Sequence, residues 1–430
     1  MKTALRRLLA ASVAAAAIGG SLAACGQGKT GSGDGGNGTL TLWTHNAGNA
    51  AELAADQSIV DAFNKSQSKV QIKVQAFPQD SYNNSVVAAA AAHKLPCLVD
   101  IDEPNVPNWG WSKYLQPLSL SADLSKNLPS TVGKWNGQTY SVGLYDVSLA
   151  MLARASDLKA AGIRVPTMDK PWTKDEFDAA LASLKKLGKW DYPLDLGTGG
   201  TGEWLPYGYS PFLQSFGGDL INRTDYQSAD GILNGDKAVA WAQWFRGLVT
   251  DGYMAQKSGQ DPTKDFLNGK SAILYTGSWA ADQARKALGN DLVVLPPPDL
   301  GAGPKVGGGS WQWGVTTGCQ NSQAAMDFLS FMLKPENIAK VAQATGTIPA
   351  TEEASALDPA YAAGGPDSIF RQFSKSYAVM RPETPAYPYI ATEFGKTVQD
   401  ILSGGDAKSA LDKATKDIGE NIKSNNGYKS

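Results

Sequence analysis

The sequence predicts an α/β fold, and three observations carry the prediction. From residue 39 onward, short strand-like runs alternate with helical patterns, as in Leu40 and Leu42 alternating with Thr, followed by Leu53, Ile59, Val60 and Phe63 at helical spacing. The connections between these runs are short, which predicts βα units whose helices cover a sheet. Beyond an N-terminal leader of about 24 residues, the remaining ~400 suffice for two domains with large cores.

The leader is read first. Lys2, Arg6 and Arg7 precede an apolar run over residues 8–18, and small residues follow up to Leu22-Ala23-Ala24-Cys25. Basic, apolar and small, in that order, is a secretory signal, and the apolar run is too short for a stable spanning helix. The last four residues resemble a bacterial lipobox. That resemblance implies removal of residues 1–24, a lipidated Cys25 as the new N-terminus, and an extracytoplasmic, lipid-anchored location on the cell membrane. Residues 25–38 are Gly-rich and polar, a composition that buries too little to order itself, so they read as a flexible linker.

Charge narrows the function classes. The formal net charge is −2, and it falls by three when the basic residues of the leader are removed. A mildly acidic chain without a basic block argues against nucleic acid as a partner. Only two His are present, which weakens the case for a zinc site or a Ser-His-Asp triad. No metal and no cofactor is expected. Twelve Trp and 15 Tyr fit either a site that stacks flat apolar faces or a large core.

Further elements follow in order: strands over 70–77 and 97–101, a helix over 81–92, a strand over 150–154 and a short helix over 156–161. Thr173 with Glu176 three residues later is a capping box that opens a helix with Phe177, Leu181 and Leu184 on its buried stripe. Helices are expected over 236–248, 322–333, 335–344, 390–402 and 406–422, and strands over 270–276 and 311–317. The run Gly197-Thr198-Gly199-Gly200-Thr201-Gly202 matches G-x-G-x-x-G formally, but Glu203-Trp204-Leu205-Pro206 follows it, so it reads as a loop and not a nucleotide site. Gly269-Lys270-Ser271 lacks the upstream glycine of a phosphate-binding loop.

Several stretches together resemble the extracellular solute-binding proteins of ABC sugar importers, the maltose-binding-protein-like family. They are the strand opening on Trp43, Phe63-Asn64, the strand over 96–102, Gly137-Gln138-Thr139-Tyr140-Ser141-Val142-Gly143, Pro171-Trp172-Thr173, Gly277-Ser278-Trp279, Gly309-Ser310-Trp311 with Trp313, and Gly346-Thr347-Ile348-Pro349. The resemblance implies a two-lobe periplasmic-binding-protein-like fold with three interlobe crossings. The N-terminal lobe would be residues 39–143 and 312–347, the C-terminal lobe 146–310 and 350–430. It also implies a monomer that captures a carbohydrate, an oligosaccharide, between its lobes and delivers it to the permease subunits, with no enzymatic step.

Candidate ligand-binding residues follow from position and chemistry. Asp102 and Glu103 end a first-lobe strand, where ligands of α/β sheets sit, while Asp100 lies nearer the sheet. His45 and Asn46 follow the first strand, and Tyr145 and Asp146 lie at the first crossing. Trp204, Trp279, Trp311 and Trp313 sit beside Gly or Pro, where an indole can face a cleft and stack on a sugar; Trp279 and Trp311 lead this group. Trp241 and Trp244 are expected in the core. Arg381 and Tyr387 belong to a proline-rich loop that reads as neither helix nor strand, and Arg381 can fork onto vicinal hydroxyls. Cys97 and Cys319 lie in or beside strands in an oxidising compartment, and either a disulfide or two buried thiols is open. The rivals are a secreted glycoside hydrolase using two carboxylates, and a receptor of the same fold for a non-sugar solute.

Overall fold

The computed structural model describes residues 38–429. The leader, Cys25 and all of the linker but Gly38 lie outside the described residues. Thirteen strands occur in them: β1 (Thr39–Thr44), β2 (Gln71–Ala76), β3 (Leu98–Asp102), β4 (Val132–Trp135), β5 (Gln138–Val142), β6 (Tyr145–Arg154), β7 (Tyr192–Asp195), β8 (Ser271–Gly277), β9 (Leu292–Leu295), β10 (Val306–Gly309), β11 (Trp311–Val315), β12 (Ile348–Pro349) and β13 (Ala378–Val379).

The first sheet has the order β2-β1-β3-β11-β5-β4. Parallel β1 pairs both β2 and β3, and β11 runs antiparallel to β3 from Trp311↔Asp102 to Val315↔Leu98. Alternation sends Leu40 and Leu42 to one face, where helix Ala50–Ser66 contributes Ile59, Val60 and Phe63, and Ser322–Met332 contributes Phe328. The other face carries Tyr82, Val86, Val99, Ile101 and Trp109. Cys97 and Cys319 are joined by a disulfide between the chain entering β3 and the chain leaving β11.

The second sheet has the path β13-β10-β6-β8-β7, with β9 and β12 also on β6. Every residue of β8 is buried, as expected for a strand covered on both faces. Helix Lys174–Leu187 opens on the Thr173–Glu176 capping box and stops at Gly188 in the left-handed region (φ 63°). Trp241 is fully buried here and Trp244 packs at the core's margin.

Residues 197–202 form the loop the sequence predicts, leading from β7 into helix Trp204–Phe216. The first turn of that helix accepts Pro206 because early helical N–H groups have no partner to lose. Two other sequence expectations are corrected. For the same reason as at Pro206, Tyr387 and Pro388 open helix Tyr387–Ser403 instead of ending a loop. The strand expected over 150–154 starts at Tyr145, because its first residues pair along the crossings: Asp146↔Ile348, Tyr145↔Pro349, Ser148↔Gly308 and Val147↔Gly309.

These crossings set which ends of the sheets meet. Leu149 pairs with Gly277, so the carboxyl end of β8 lies at the crossings, as does that of parallel β7. β11 leaves the crossing at Trp311 opposite Asp102, so the carboxyl end of β3 lies there too. The carboxyl ends of both parallel strand sets therefore face one another, the placement at which α/β sheets bind ligands. Gly309 in β10 has a positive φ (105°) that side chains rarely adopt, and a Cβ there would crowd Met380 Cε at 3.0 Å and both Arg381 Nη2 and Glu103 Oε2 at 3.4 Å.

Candidate ligand-binding cleft

At the edge of the first sheet, the loop after β1 places His45 beneath Trp311. Its ring lies face to face with the indole, centroids 3.6 Å apart and planes 4° apart. Its Nδ1 bonds Asp100 Oδ2 at 2.5 Å, and Nε2 points toward Glu52 Oε2 at 3.8 Å. Burial acts to lower the imidazole's pKa, but the charge and hydrogen bond of Asp100, with Glu52 and Asp102 beyond, raise it above the usual value. Glu52 is held by Tyr145, whose hydroxyl donates to Oε1 at 2.8 Å, and burial raises its carboxyl. A cavity of about 290 Å³ opens here, lined by His45, Asn46, Asn49, Glu52 and the turn Pro78-Gln79 among others.

A second cluster crosses between the lobes. Arg381 Nη1 and Nη2 donate to Asp102 Oδ2 and Oδ1 at 3.1 and 2.9 Å, and Nη1 also reaches Glu203 Oε1 at 2.7 Å. Tyr387 donates its hydroxyl to the same Glu203 oxygen, and the guanidinium lies 5.1 Å from the ring centre of Tyr207. Glu103 lies alongside, 6% exposed, with Oε2 unpartnered. Burial pushes its carboxyl up to about 8, against the opposing pull of Arg381. Burial likewise raises Glu203, whose side chain is still 32% exposed and so partly screened.

The indoles separate sharply. Trp279 follows β8 at the cleft edge and is 41% exposed, its ring folded against Gly277, where a Cβ would meet it at 1.9 Å. Trp204 is half-buried, donating Nε1 to Leu196 O and Tyr209 Oη and lying against Gly197 and Gly200. Trp313 corrects its assignment: two residues along β11 from Trp311, it shares that face but lies deeper, stacked on Phe328 at 5.8 Å in the core. Asn46 is also drawn inward, donating to Asp56 Oδ2 at 2.8 Å and accepting from Thr44 Oγ1 at 2.9 Å. Asp146 is fully buried between Gly309 N and Ser374 Oγ, so it and Tyr145 belong to the crossings more than to the cleft wall.

Sequence reasoning passed over Glu52, Glu203 and Tyr207, and set Asp100 behind Asp102 and Glu103 as lying nearer the sheet. Glu52 carried a usable signal, lying three residues after the Asn49 N-cap and so on the first turn beside His45. Among the described residues, no group of three or more His, Cys, Asp or Glu is arranged to hold a metal ion, and no helix is long and apolar enough to cross a membrane.

The family model for bacterial extracellular solute-binding proteins matches residues 58–365. The chain belongs to that family. This solute-binding protein is 25% identical over 325 residues to an uncharacterised lipoprotein of Streptomyces antibioticus, covering 72% of this chain and 69% of that one. It is 23% identical to the melibiose/raffinose/stachyose-binding protein MelE of Bacillus subtilis, over 71% of this chain and 73% of the relative. Among solved structures, it resembles an ABC substrate-binding protein of Listeria monocytogenes in complex with cycloalternan (TM-score 0.76, 20% identity, 90% and 100% of the two chains). It also resembles the GacH receptor of Streptomyces glaucescens, solved unliganded and with acarbose (TM-score 0.72, 22% identity, 90% and 98%). The two-lobe maltose-binding-protein-like fold is thus the fold of this chain.

Proposed function

We propose that this solute-binding protein captures an oligosaccharide between the facing sheet edges and delivers it to the permease of an ABC importer, tethered outside the cell by a lipid on Cys25. The reading rests on an exposed indole, Trp279, which follows the carboxyl end of β8, together with the polar His45–Glu52 pair past the carboxyl end of β1. A sugar's C–H face stacks on an indole, while its hydroxyls take both donors and acceptors. His45 Nε2 would donate and Glu52 accept; Trp311 fixes the imidazole plane and stacks on it instead of on the ligand. Relatives support the ligand class: one binds melibiose, raffinose and stachyose, and another, from Streptococcus pneumoniae, is a maltooligosaccharide transporter lipoprotein.

Contacts from both lobes to one ligand favour the closed form, since only that form makes both sets. In this reading no bond is broken. The test is intrinsic fluorescence against mono- and oligosaccharides, with reducing-end release assayed in parallel. Saturable change without hydrolysis is expected; hydrolysis lost in Glu103→Gln would contradict the reading.

A further inference from the structure

The cleft is crossed by an ion pair that lies to one side. Asp102 and Arg381 are joined by two parallel bonds, and their side chains are 8% and 5% exposed. Two more contacts run between the same chain segments. Asn108 Nδ2 donates to Pro385 O at 2.7 Å, and Trp111 meets the ring of Tyr428 at 5.0 Å while its Nε1 donates to Lys429 O at 3.4 Å. In these three contacts the first-lobe partners lie between residues 102 and 111, on the side of β3 toward β4 and β5, and the second-lobe partners between 381 and 429. The cavity at His45 and Glu52 lies on the other side, at β1 and β2, and its lining comes only from residues 45–80.

We propose that Arg381 is an interlobe latch that favours the closed form by holding the two lobes together along one side of the cleft. Glu203, in Arg381's own lobe, fixes the guanidinium, and the Tyr207 ring lies against it, so little side-chain freedom is left to lose on meeting Asp102. The planar fork then matches the carboxylate bidentately. Opening returns both groups to water, so the pair biases an equilibrium between open and closed forms and does not lock it. Arg381 is accordingly a positioning residue that acts through Asp102, not a contact for the sugar.

Small-angle scattering of the unliganded protein tests this. Asp102→Ala removes only the interlobe arm and is expected to raise the radius of gyration, with Asp102→Asn, which keeps one acceptor, in between. Glu203→Gln weakens only the arm within the second lobe and is expected to leave the value closer to wild type than Asp102→Ala does. Arg381→Gln should match Asp102→Ala if it folds, judged by an unchanged near-ultraviolet spectrum; if it does not fold, the Asp102 pair decides. Scattering curves of Asp102→Ala and wild type that superimpose would overturn the latch, as would a Glu203→Gln protein that opens as far as Asp102→Ala.

Discussion

The imidazole of His45 lies flat on the indole of Trp311, 3.6 Å between centroids, while its Nδ1 bonds Asp100 at 2.5 Å. A cation held against an indole face in this way reports its own protonation. The His45 pKa is raised in the folded state, so its stabilising contribution is full below the unfolded value near 6.5 and is lost as pH rises through the folded value. Trp311 fluorescence should therefore change with a midpoint above 6.5. Asp100→Asn should move that midpoint down, and His45→Ala should abolish the transition. A midpoint at or below 6.5 contradicts the assignment.

Glu103 gives a second pH dependence of the same sign. Its folded pKa of about 8 lies above the unfolded value, so stability falls as pH rises from about 4.5 through 8. The loss attributable to Glu103 is on the order of a few kcal/mol. Glu103→Gln mimics the protonated form and should flatten the fall in Tm between pH 6 and 9, with little change at pH 5. Parallel curves for the two proteins would contradict it.

The paired indoles of β11 and the lone one after β8 should behave oppositely on truncation. Trp313→Ala empties a core site against Phe328 and should cost about 3–5 kcal/mol in denaturant unfolding. Trp279→Ala removes an exposed ring and should shift stability by less than about 1 kcal/mol. A large loss of stability in Trp279→Ala would mean that its ring is structural.

The disulfide spans 222 residues of sequence and crosses from β3 to β11. Thiol titration of the unfolded protein should rise by two on reduction. Cys97→Ala with Cys319→Ala should destabilise by about 2–4 kcal/mol. No rise in thiols on reduction contradicts the bond.

Much of the fold was legible because it rests on local patterns. The alternation at Leu40 and Leu42, the Thr173–Glu176 box and the Gly-flanked strands are each set by a few adjacent residues. What was not legible depends on pairing across long separations. Trp311 and Trp313 look alike in sequence, and only the depth of β11 in the sheet stacks one on His45 and the other on Phe328. Asn46 suits a sugar by chemistry, but Asp56, ten residues away around a helix start, uses its amide. Arg381 was singled out for its fork, yet its partner Asp102 stands 279 residues earlier, a match no local pattern reveals. Helix starts at Trp204 and Tyr387 were hidden by prolines, which are breakers in a helix interior and acceptable in a first turn.

The most direct measurement is isothermal titration of maltotriose and raffinose into the wild-type protein and Trp279→Ala. Saturable 1:1 binding of at least one sugar by the wild type, weakened about tenfold or more in the variant while its Tm is kept, is the predicted result. Equal affinity in the two proteins, or no heat with either sugar, would contradict the account of Trp279 as the stacking face of an oligosaccharide cleft.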